Sequence, residues 1–428
     1  MDQISNHPVA STTSITSIED KNTVTYLRSL GAIRERCQQL FDLALVDQLQ
    51  HFRCDMTKLD RTADYVLEVI KTNYPDLQVP FHSRWRHFEA GGDRRLDLLK
   101  ARLAGLSPLE KARTKFDLVI TSVLLDAGAG AEWQYQEPGT DLVWRRSEGL
   151  GIASFYTFLQ GGFSSNPDQP LQADAQGLQN FSAATLEENF QVTPDNPLVG
   201  VQGRVELLQK LGATLAKSPQ IFSLDGVNFR LGYMVDYLQL QAQNQQLPAA
   251  KVFQAVLYGL GDIWANRIIL EGVNLGDVWQ HSQLSGETPA SKLVPFHKLS
   301  QWLTYSLLEP LQELGIEITH LEEMTGLPEY RNGGLCLDLG LLQPKYPEIL
   351  TQTYTPDAEV IVEWRALTVI LLDRMAETIR QQLNLNATDL PLVKILEGGT
   401  WAAGRTIAAK LRPGGIPPLK IDSDGTVF

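Results

Sequence analysis

Apolar residues recur at three- and four-residue intervals through most of the 428-residue chain, the spacing expected of helices that bury one face. Between residues 24 and 75 the pattern runs through Leu27, Leu30 and Ile33 and resumes at Leu40, Leu43, Leu45 and Leu49; it returns over 98–126, 184–216, 230–243 and 250–270. The clearest helix is "VEWRALTVILLDRMAETIRQQL", where Trp364, Leu367, Leu371, Met375 and Ile379 share one face and Glu363 and Arg365 stand near its start. Strand-like stretches are short, 142–145 and 419–428, and no regular alternation of strand and helix builds a doubly wound sheet. The pattern predicts a mainly α-helical fold with a few short strands. Segments rich in Gly, Pro, Ser or Gln predict loops at 161–180, 282–292 and 411–419. Residues 1–22 are expected to form a disordered polar tail, and 23–428 a single mainly helical domain whose one candidate sub-boundary is the 161–180 loop. No internal repeat of solenoid period is found.

Composition narrows the function classes. With 37 basic and 50 acidic residues the net charge is −13, which disfavours nucleic acid and anionic membrane surfaces as partners. Three cysteines without C-x-x-C spacing suit a reducing compartment better than a disulfide framework. The polar first twenty residues lack an apolar signal core, and no stretch of 18 apolar residues occurs, so a cytoplasmic location is expected. "GTWAAGRT" has the spacing of a phosphate loop but carries Arg405 where lysine is needed, and "DAGAGAEW" has Trp133 where a dinucleotide fingerprint needs glycine. His82 and His87 do not share a helical face and have no adjacent acid or thiol ligands. No metal site and no cofactor is expected.

Three short patches carry chemistry. "RWRHFEAGGDRR" gathers Arg84, Arg86, His87, Arg94 and Arg95 around a Gly-Gly turn, either as an anion-binding loop or as an exposed loop paired with Glu89 and Asp93. Asp126 ends an apolar helix at the unfavourable end of its dipole. Glu329, Tyr330 and Arg331 stand side by side before two glycines, either as a solvated helix edge or as the working end of a site.

Taken in order, "RWRHFEAGGDRR", "SVLLDAGAGAEWQY", "RRSEGL", "LPEYRNGG", "VEWRALTVILLD" and "LEGGTWAAGR" resemble the uracil catabolism protein 4 family. That resemblance implies a route in which a pyrimidine base is ribosylated, its ring opened and urea released, with a cyclohydrolase-like enzyme as functional partner. More distantly, residues 115–410 are similar to the queuosine salvage N-glycosidases, whose shape is related to helix-hairpin-helix DNA glycosylases. Their catalytic Asp-Tyr-Arg triplet matches Glu329, Tyr330 and Arg331 here, with the carboxylate one methylene longer. The resemblance implies a hydrolase that cuts the N-ribosyl bond of a small anionic substrate, ribosylurea or its 5-phosphate. Glu329 would then stabilise the sugar cation, and Asp126 or Glu148 would serve as the second acid. Tyr330, Arg331, Glu363, Arg365, Trp401, Arg84, Arg86, His87 and Arg94 would contact substrate. An amidohydrolase on the same route, or a non-catalytic binding subunit, are the alternatives.

Overall fold

Uninterrupted apolar spacing becomes helix throughout the computed structural model, which describes residues 18–126, 128–264 and 267–422. The fold is mainly α-helical. Longest is the helix Glu359–Leu383, which buries Trp364, Leu367, Leu371, Met375 and Ile379 and ends at Asn384 in the left-handed conformation. It packs against the helices Leu30–Leu45 and Leu59–Asn73 on one side and Tyr330–Asp338 on another. A second layer is formed by Lys298–Glu313, which packs against Pro108–Leu124 and Ala249–Leu260, while Pro108–Leu124 also packs against Arg146–Leu159. One continuous apolar core runs from Leu30 to Leu419 and joins both layers.

Several expected helices are interrupted, two of them by an identifiable device. The 24–75 pattern breaks at Asp47, which has positive φ, and the chain then forms the strand Phe52–Cys54. That strand pairs antiparallel with Leu342–Pro344. The 98–126 pattern splits into Arg94–Arg102 and Pro108–Leu124, the second helix restarting where the Ser107 hydroxyl accepts the Glu110 N–H ahead of Pro108. The 184–216 pattern divides into Ala183–Asn189 and Val201–Thr214, and the 250–270 helix stops at Leu260.

Strands are two or three residues long and pair only two by two among the described residues. Val143–Arg145 lies in the expected 142–145 stretch and pairs with Gln134–Gln136. Lys420–Ile421 lies in the 419–428 stretch and pairs in parallel with Thr353–Tyr354; residues 423–428 fall outside the described residues. The expected loop at 161–180 contains the helix Ala175–Asn180, which packs on Val201–Thr214. Of the expected tail, 1–17 lie outside the described residues and Ile18–Leu27 is helical. No helix among the described residues is long and apolar enough to cross a membrane.

Candidate functional site

Segments far apart in the chain meet at a cavity of about 290 Å³ lined by His82, His87, Asp126, Arg146, Ser147, Lys298, Trp302, Glu329, Tyr330, Arg331, Trp401 and Pro417, with Gly128, Ala129, Gly130 and Leu327 filling its gaps. A concave site with a few convergent polar groups among aromatic walls is the usual form of a small-ligand pocket.

Glu329 stands immediately before the helix Tyr330–Asp338. Its Oε2 accepts the Arg331 N–H and its Oε1 the Asn332 N–H, both at 2.6 Å. The side chain thus caps the helix and is fixed by it, with a positive helix end beneath a negative group. Only 5% of Glu329 is exposed. Burial raises its pKa above the usual carboxyl value, against the pull of Lys298 and the two N–H groups. The following glycines permit this placement. A Cβ on Gly333 would stand 2.3 Å from the Trp364 ring, so the short helix can lie on the long one only with hydrogen at that position.

Asp126 enters from the opposite layer, at the end of Pro108–Leu124. Its Oδ2 accepts from Arg84 Nη1 at 2.8 Å and from the Ser147 hydroxyl. Arg84 is fully buried, with Nε on the Ser122 hydroxyl and Nη2 on the Ser122 carbonyl. Arg204 fixes the loop beyond Asp126 by donating to the carbonyls of Leu125 at 3.1 Å and Gly128 at 3.2 Å.

Lys298 opens the helix Lys298–Glu313 and faces both acids. Burial lowers its pKa, while Glu329 and then Asp126 oppose the shift. Its position is set from behind by Asp277, which accepts the Lys298 N–H at 3.0 Å and binds both Nη atoms of Arg365 at 2.7 Å. Arg365 also donates to the Pro328 carbonyl at 3.3 Å, one residue before Glu329. A single buried guanidinium therefore braces the starts of two helices that carry opposite charges into the cavity.

The remaining walls are aromatic and basic. The rings of Trp302, Trp401, His82 and His87 cluster with centroid separations from 5.6 to 6.5 Å. Burial holds His87 well below the usual imidazole value, with Arg84 adding to the effect. Tyr330 is pushed up to about 12 by burial and by Glu329. Trp401 is delivered by a π-helical turn, Leu396–Trp401, whose Gly399 lies so close to Val66 and Ile70 that a Cβ would approach them to 2.7 and 2.9 Å. Over one side runs the segment from Arg412 to Pro418. Arg331 Nη1 donates to its Gly415 carbonyl at 2.8 Å, Arg146 to its Gly414 carbonyl at 3.3 Å, and Arg412 forms a two-point pair with Asp338 at 2.7 and 2.6 Å.

Of the residues singled out in the sequence, Asp126, Glu329, Tyr330, Arg331, His87 and Trp401 line the cavity. The others are elsewhere. Glu148 pairs with Arg405 at 2.6 Å, and that guanidinium stacks on Trp401, so Glu148 lies behind the wall. Glu363 is fully buried and accepts the backbone N–H groups of Gln50, His51 and Phe52, which holds the strand Phe52–Cys54. Arg84 and Arg365 are spent on Asp126 and Asp277, in the second rank. Arg86 points into a separate groove with Glu89 and Glu309, and Arg94 bonds the Gly139 carbonyl at an exposed site. Lys298, Trp302, Arg146 and Ser147 were not found from sequence, because single residues on unremarkable helices carry no spacing signal. In the sequence His82 reads only as a poor metal-ligand candidate.

Fold and cavity together define a mainly helical protein with a half-open cavity lined by charged and aromatic side chains. The chain belongs to the family described as "Protein of unknown function (DUF1688)", which matches residues 26–428. It is 41% identical to "Protein urg3" of Schizosaccharomyces pombe over 95% of this chain and 99% of that protein. It is 37% identical to "Uracil catabolism protein 4" of Lachancea kluyveri, again over 95% of this chain and 99% of that protein.

Proposed function

We propose that the protein acts in uracil degradation as a hydrolase of the N-ribosyl bond in a ring-opened product, ribosylurea or its 5-phosphate. The observation that carries this reading is the pair of fixed carboxylates, Glu329 and Asp126, facing one small cavity from opposite layers. Cleavage of an N-ribosyl bond builds positive charge at C1′, and a buried carboxylate held by two N–H groups stabilises such a cation without reorganising. Glu329 has that role. Asp126 Oδ2 is occupied by Arg84 and Ser147, which leaves Oδ1 to accept a proton from the attacking water. Lys298, Arg146 and Arg331 supply the positive charge that an anionic substrate requires. The name of the 37%-identical relative supports the pathway, and the bond to be cut is what the resemblance to salvage N-glycosidases implies.

The test is to incubate the purified protein with ribosylurea and its 5-phosphate and to follow urea and reducing sugar. Release of both is expected, and Glu329→Gln should lower kcat by on the order of a hundredfold or more while substrate still binds. Ammonia in place of urea would establish an amidohydrolase, and binding without any product a non-catalytic subunit.

A further inference from the structure

Both cavity carboxylates are built to accept hydrogen bonds: Glu329 takes two backbone N–H groups, and Asp126 takes a guanidinium and a hydroxyl. Neither arrangement suits the donation of a proton, yet urea leaves C1′ poorly unless its nitrogen is protonated as the bond breaks. A donor must come from another wall.

The aromatic wall contains one. His82 Nδ1 lies 2.7 Å from Glu397 Oε2, and both side chains are nearly buried, at 8% and 13% exposure. The backbone is anchored independently, since the His82 N–H donates to the Val393 carbonyl at 3.1 Å. The ring is flanked by Trp302 and Trp401, with centroids at 6.5 and 5.9 Å. A carboxylate on Nδ1 fixes the tautomer and orientation of an imidazole, so that Nε2 is the atom left to give or take a proton. Here the carboxylate belongs to the π-helical turn Leu396–Trp401, which supplies Trp401 as well. One irregular turn thus carries both the partner that orients His82 and the ring that packs at a tilt beside it.

We propose that His82, oriented by Glu397, is the general acid of this site, and that the box formed by His82, His87, Trp302 and Trp401 is the subsite for a planar, uncharged ureido leaving group. The assignment rests on the glycosidase reading. The C1′–N bond breaks with its electron pair going to nitrogen, which takes the proton from His82 Nε2. Water bonds to C1′ through oxygen and gives its proton to Asp126 Oδ1; exchange with solvent then returns Asp126 to its carboxylate and His82 to its protonated form, so the sum is ribosylurea plus water giving ribose and urea. Glu397 is a positioning residue.

The test compares two leaving groups. His82→Gln should lose about a hundredfold or more in kcat/KM on ribosylurea, yet stay within about fivefold of wild type on p-nitrophenyl riboside, whose phenolate departs without a proton. Glu397→Gln keeps a hydrogen bond to the ring and removes the charge; it should show the same selectivity with a smaller loss, and it carries the test if the histidine variant fails to fold. Glu329→Gln should lose activity on both substrates. Equal losses on both substrates in the His82 and Glu397 variants, or no loss on ribosylurea, would overturn the assignment. Wild-type protein that cleaves neither substrate would instead overturn the glycosidase reading, and the role of His82 with it.

Discussion

A carboxylate that caps a helix and also faces a cavity is pulled in two directions, and Glu329 makes the conflict measurable. Its pKa is raised chiefly by burial. A carboxyl with a raised folded value favours the fold fully below its unfolded value, about 4.3, and loses that contribution as pH rises through the folded value. Above that window the ionised Glu329 weakens the fold. Glu329→Gln removes this pH-dependent penalty but gives up one of two cap bonds, a loss of about 1 kcal/mol. Denaturant titrations between pH 4 and 7 should therefore show wild type losing stability relative to the variant as pH rises; a difference independent of pH would contradict the account. At this scale the sequence points to several residues that meet at the cavity and says little about where the other charges face. Glu329 and Asp126 were legible as acids with unusual neighbours. Arg84 stands in a basic loop of the sequence and Glu363 and Arg365 near the start of an apolar helix; all three are buried, Arg84 and Arg365 holding Asp126 and Asp277 and Glu363 holding the strand Phe52–Cys54.

Among the elements, the longest periodic segment was the most legible, because every turn of Glu359–Leu383 repeats the same burial. Boundaries were not, where tertiary hydrogen bonds end a helix that local periodicity would continue. The chain from Gln50 to Phe52 turns its N–H groups to Glu363, more than 300 residues away, and no sequence window contains that partner. Contact between the short helix Tyr330–Asp338 and the long one depends on Gly333 against Trp364, a ring only 1% exposed and unable to retreat. Gly333→Ala gains helix propensity of up to about 1 kcal/mol but overpacks the contact by about 1–3 kcal/mol. A net loss in denaturant midpoint is expected, with a drop in activity because the same helix presents Glu329. A variant as stable and active as wild type would show that the two helices can separate freely.

On the scale of the whole molecule, the cavity draws on segments from His82 to Pro417, so the site exists only when the two helical layers are joined. This is why the contact of His82 with Glu397 and the place of Lys298 beside Glu329 and Asp126 are hidden in the sequence: both are encounters across many residues. The segment from Arg412 to Pro418 covers the cavity through bonds to Asp338, Arg331 and Arg146. Removing the residues from Arg412 onward should leave the helical content and most of the core, with turnover lost; a truncated protein that unfolds would show that this segment is part of the stability core instead. The covering segment also divides labour along the chain. The helices up to Ala402–Leu411 build the walls of the cavity, and the stretch after them bonds Arg331 and Arg146 at its side. Exchange of a ligand with solvent is therefore set by a different part of the sequence from the part that shapes its contacts.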